Sequence, residues 1–126
     1  MDTRRKIVNA EAARELLQSG QWTVTAGLFD PLTATQARRV GALREPGRKL
    51  LVVILDQPDS LLGAEARAVL MAALRDVDAV LIAKPSMWLT VIPRNADIKI
   101  DEDSEGERLR SAAFIDFVLA RQAGKS

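Results

Sequence analysis

Apolar positions along this chain follow two alternating rhythms. Between residues 8 and 18 they recur at helical spacing: Val8, Ala12 and Leu16 share a face, with Ala13 and Leu17 beside it. Asn9 is placed to cap the start of that helix and Gly20 to stop it. Residues 22–26 are β-prone and predict a first strand, residues 27–31 a turn, and residues 34–43 a helix ending before Pro46-Gly47. Residues 50–55 are apolar without a break between Lys49 and Asp56, as expected of a central strand covered on both faces. A long helix follows over residues 64–75, with Leu62, Ala66, Val69, Leu70, Ala73 and Leu74 as its apolar stripe. Residues 79–83 predict another buried strand, and 87–92 and 97–100 two further strands. Ser104-Glu105-Gly106-Glu107 has capping-box spacing and opens a last helix to residue 121, carrying Leu109, Ala113, Phe114, Phe117 and Val118. Residues 124–126 read as a frayed tail.

Strands alternating with helices predict an α/β domain: a Rossmann-like three-layer α/β/α arrangement with a mostly parallel sheet. The 126 residues suit a single domain over 1–126, with no internal repeat and no low-complexity segment. Ligands of such sheets sit beyond the carboxyl ends of the strands, near the point where strand order reverses. The turn over residues 27–36 follows the first strand and precedes a helix, so it is the first place to look for a site.

Composition narrows the chemistry. The chain has neither cysteine nor histidine, which removes disulfides, thiolate catalysis and imidazole chemistry. A metal would need oxygen ligands, favouring magnesium-like ions over zinc. With 18 basic and 17 acidic residues the formal net charge is +1, which gives no general case for nucleic-acid binding. No apolar run approaches the ~20 residues of a membrane helix, and Asn9, Glu11, Arg14 and Glu15 interrupt the segment that a signal peptide would need apolar. The expectation is a soluble cytoplasmic protein with no membrane and no nucleic-acid partner.

Gly27-Leu28-Phe29-Asp30-Pro31-Leu32-Thr33-Ala34-Thr35-Gln36 resembles the signature loop of the cytidylyltransferase-like nucleotidyltransferases. The preceding Lys6-Ile7-Val8-Asn9 and its helix are similar to the start of that domain. Leu51-Val52-Val53-Ile54-Leu55-Asp56 resembles its second strand, and residues 65–80 its helix-plus-strand pattern. The pattern is most similar to the nucleotidyltransferase domain of bacterial ADP-heptose synthase; glycerol-3-phosphate cytidylyltransferases are also similar. The resemblance implies a triphosphate on the N-terminus of the helix after the first strand, where free N–H groups and the helix dipole favour anions. It implies transfer of a nucleotidyl group from ATP or CTP, with magnesium, to a sugar or polyol phosphate, and release of pyrophosphate. It also implies nucleotide contacts from Gly27, Leu28, Phe29, Asp30, Thr33, Thr35, Gln36, Asp56 and Arg67. Asp97-Ile98-Lys99 resembles a worn copy of the family's Asp-x-x-x-Lys-Gly segment.

The departures are in the reacting groups. The family's His-x-Gly-His reads Thr33-Ala34-Thr35-Gln36 here. Threonine and glutamine donate hydrogen bonds but cannot become cationic, and losing one transition-state donor costs on the order of 10²–10³ in rate. Thr35 puts a β-branched side chain where the family has glycine, and the loop over residues 57–63 is short, whereas the relatives carry a longer basic segment there. A late Ser-Thr-Thr-type motif is reduced to Ser111-Ala112-Ala113.

Each candidate has an ordinary reading beside the functional one. Thr33-x-x-Gln36 fits a capping box, Asp30 an Asp-Pro turn, Asp56 and Asp59 a polar strand-end loop, and Arg67 a solvated or ion-paired helix residue. Trp22 and Trp88 suit a core or an interface. No catalytic residue is assigned. The resemblance and its departures together imply a degenerate nucleotidyltransferase-family domain, catalytically inactive or weak, that retains ATP or CTP binding at the 27–36 turn. Its alternatives are a non-catalytic scaffold or oligomeric interaction protein, and an active transferase with a rearranged site. The resemblance also implies a homodimer, which the apolar face of the last helix would allow.

Overall fold

A computed structural model describes residues 2–100 apart from Asp59 and Asn95. The expected helix over 104–121 and the Ser111-Ala112-Ala113 segment lie outside the described residues. Five strands, β1 (Ile7–Val8), β2 (Trp22–Gly27), β3 (Lys49–Leu55), β4 (Ala79–Ala83) and β5 (Asp97–Ile98), form one sheet in the order β1-β4-β3-β2-β5. Every pairing is parallel. Helices α1 (Ala10–Gln18), α2 (Ala34–Ala42), α3 (Ala64–Ala72) and α4 (Trp88–Val91) connect them, and a 3-10 turn (Thr3–Lys6) precedes β1.

Handedness assigns the layers. The chain steps in one direction from β2 to β3 to β4, and right-handed crossovers put α2 and α3 on one face. The jumps from β1 to β2 and from β4 to β5 run the other way and put α1 and α4 on the opposite face. The two cores follow this division. Leu51, Val53 and Leu55 pack with Ala13, Leu17, Trp88 and Leu89; Leu50, Val52 and Ile54 pack with Val40, Ala68 and Met71. The unbroken apolar run of β3 is therefore buried on both sides, giving the Rossmann-like three-layer α/β/α fold that the sequence predicts.

Four local expectations are corrected. Residues 87–92 are not a strand: Met87 and Trp88 both donate to the Lys84 carbonyl, and Trp88–Val91 is a short helix. Its buried positions 88, 89, 91 and 92 have helical spacing, an ambiguity inherent in a short apolar run. Val8 belongs to an edge strand that the helical reading absorbed, although Asn9 does cap α1 by accepting from Ala12 N–H at 2.8 Å. The strand expected over 97–100 is two residues long. Finally, α3 ends at Ala72 and is rotated from its expected face: Arg67, Ala68, Met71 and Ala72 are buried, while Leu70 is 46% exposed. Ala68, Met71 and Ala72 pack in the core with Leu50, Val52 and Ile54, and the hydrogen bonds of Arg67 hold its side chain inward.

Candidate functional site

Strand order reverses at β2, whose neighbours β3 and β5 are reached in opposite directions, so the crevice of a Rossmann-like sheet falls at its carboxyl end. The 27–36 turn occupies that place, and the side chains of Leu28, Phe29, Asp30, Thr33 and Gln36 are engaged within the protein. Leu28 and Phe29 diverge to opposite faces and are 5% and 3% exposed. Phe29 has φ +49°, and its ring folds back over Gly27. A Cβ on Gly27 would lie 2.9 Å from two Phe29 ring carbons. The space that glycine opens is filled by this chain's own aromatic side chain.

Asp30 accepts hydrogen bonds from the amides of Leu61 and Leu62, the latter at 2.8 Å, and so ties the turn to the 57–63 loop. Thr33 is the N-cap of α2. Its hydroxyl accepts from Gln36 N–H at 3.1 Å, and the Gln36 side-chain oxygen accepts from Thr33 N–H at 3.2 Å. Both halves of the capping box are present, so two of the donors that a phosphate would use are occupied. Thr35 is exposed on the first turn of the helix.

Arg67 is neither solvated nor ion-paired with any described carboxylate. It is fully buried, and its guanidinium donates to four acceptors. These are the carbonyls of Leu28 at 2.7 Å, Leu55 at 2.9 Å and Leu62 at 3.0 Å, and the Ser60 hydroxyl at 3.4 Å. A planar fork suits this task, because it reaches the ends of β2 and β3 and the following loop at once. Asp56 is exposed, and its amide donates to the Ala83 carbonyl at 3.0 Å. Asp59 lies outside the described residues.

Lys99 is drawn away from this end of the sheet. Its ammonium pairs with Glu45, in the connection leading to the amino end of β3, and lies 3.9 Å from Asp97. The hydrogen bond from Lys99, reinforced by its charge, holds the Glu45 carboxyl below the usual range. The same bond holds the Lys99 ammonium above its ordinary value. Among the described residues no group of three or more acidic side chains is placed to hold a metal ion. Asp30, the carboxylate within the turn, is spent on the Leu61 and Leu62 amides, so the turn does not fit a magnesium site.

Two cavities formed by described residues lie elsewhere. One, of about 530 Å³, is lined by Arg4, Ile7, Glu65, Ala66, Val69 and Ile82. The other, of about 250 Å³, is at the amino end of the sheet beside Trp22 and Lys49, whose ammonium stands 5.8 Å from the Trp22 ring centre. Neither is lined by the 27–36 turn. Among the described residues, no helix is long and apolar enough to cross a membrane.

Sequence reasoning located the turn, Asp30 and the Thr33–Gln36 pair from local spacing. It missed Ser60, Leu61 and Leu62 as partners, because no signal within residues 57–63 announces a bond to residue 30 or 67. Compared with protein-family models and with curated protein sequences, the chain matches none.

Proposed function

We propose that this chain is a catalytically silent domain of nucleotidyltransferase type, serving as a non-catalytic scaffold rather than as a nucleotide-binding module. The observation that carries this reading is the reciprocal Thr33–Gln36 capping box at the position where the family it resembles holds a triphosphate. A phosphate arriving there must compete with bonds that already occupy two donors of the helix terminus, and it meets no imidazole to share its charge. Phe29 over Gly27, and Arg67 occupied by carbonyls, close the same region from two other sides.

The test joins calorimetry to an activity assay. Titration of the full chain with ATP or CTP in the presence of magnesium should give no saturable heat. Incubation with those nucleotides and sugar or polyol phosphates should release no pyrophosphate above background. Saturable heat without turnover would restore nucleotide binding by a silent domain; turnover would overturn the reading altogether.

A further inference from the structure

The cavity of about 530 Å³ joins an apolar floor to one cation and one anion. The floor is made by Ile7 of β1 and Ile82 of β4, on the α2/α3 face of the sheet, and by Val69 of α3; all three are half-buried. Arg4, Glu65 and Ala66 complete the lining and are exposed, so the charges stand where the cavity meets solvent. Glu65 and Val69 are one helical turn apart and share a face of α3. Arg4 is carried by the 3-10 turn, which the Lys6 ammonium ties to the Leu74 carbonyl at 3.0 Å. The volume lies within the ~300–1,000 Å³ of ordinary binding pockets.

Both charges are uncommitted. Arg4 and Glu65 form no ion pair with each other or with any other described residue, whereas acids and bases elsewhere do pair: Arg44 with Asp78, and Lys99 with Glu45. This combination selects an occupant. A nucleotide brings several negative charges and finds a single base here, with a carboxylate on the same wall. An apolar acid satisfies Arg4, but its body strips water from Glu65 without replacing the lost hydrogen bonds. An apolar amine does the same to Arg4. A molecule with a carboxylate, an ammonium and an apolar body meets all three parts of the lining at once.

We infer that the Ile7–Val69–Ile82 cavity binds a small zwitterion with an apolar body. Its carboxylate accepts from the Arg4 guanidinium, its ammonium donates to the Glu65 carboxylate, and its body covers Ile7, Val69 and Ile82. A free apolar amino acid and an apolar dipeptide share this chemistry. None of the lining belongs to the 27–36 turn, so this site does not depend on whether that turn binds nucleotide.

Backbone amide shifts of the full chain test this, with L-phenylalanine and leucyl-leucine as probes of the two sources. At least one should give saturable shifts centred on Ile7, Ala66, Val69 and Ile82, and the tighter of the two identifies the source. Blocking the carboxylate of that probe as its amide, or its ammonium as the N-acetyl form, should each weaken binding about tenfold. Arg4→Gln should weaken the intact probe to a similar extent and leave the amide form unchanged. Glu65→Gln should weaken the intact probe likewise and leave the N-acetyl form unchanged. Both side chains are exposed, so neither substitution threatens the fold. The absence of saturable shifts with either probe, shifts centred elsewhere, or equal binding of the blocked forms would overturn the proposal. So would an affinity for the intact probe that is unchanged in either variant.

Discussion

The N-termini of α2 and α3 stand in equivalent places, each following a central parallel strand, yet they are held by different means. At α2 the work is local: Thr33 and Gln36, three residues apart, satisfy each other's backbone. At α3 the cap is Gly63, which has no side chain to offer, and the fixing contacts come from Arg67 reaching across to Leu28 and Leu55. A helix start closed by its own sequence gives a self-contained terminus with little left for a ligand. One fixed by a buried guanidinium welds two strand ends and a loop into one block. The contrast explains why the crevice of this sheet is filled although the topology that creates it is intact.

The largest way to break the contrast is Arg67→Met. It leaves the Leu28 and Leu55 carbonyls buried without a partner, at about 1–3 kcal/mol each, so urea unfolding should report a loss of roughly 2–6 kcal/mol. Gly27→Ala comes next. Its Cβ would meet the Phe29 ring, which is itself buried in the α2/α3 core, and overpacking of this kind costs about 1–3 kcal/mol. Thr33→Ala removes one half of the capping box and should cost about 1 kcal/mol, read from the same unfolding curves. The smallest change sharpens the contrast. Gly63→Asp supplies α3 with the side-chain cap it lacks, in open space and at a φ of −60° that any residue adopts; the gain should be a few tenths of a kcal/mol.

What the sequence made legible follows the same division. The Thr-x-x-Gln spacing, the Asn9 cap and the apolar run of β3 are local signals, and each is found in the structure as expected. The face of α3 was misread because Arg67 is charged and Leu70 apolar, so periodicity placed the arginine outward and the leucine inward. The carbonyls of residues 28, 55 and 62, with the Ser60 hydroxyl, reverse that preference, and they come from three separate segments. The bond from Asp30 to the amides of Leu61 and Leu62 was equally invisible, since it spans more than thirty residues. Local hydrogen bonding can be read from spacing; a clamp assembled by topology needs the topology first.

The central claim is that the 27–36 turn is closed by its own side chains. Backbone amide chemical shifts, followed by NMR on the full chain as magnesium-ATP and magnesium-CTP are added, test it directly. The account predicts that the amides of Thr33, Ala34, Thr35 and Gln36 stay in place up to millimolar nucleotide. Saturable shifts confined to those four amides and Gly27 would contradict it.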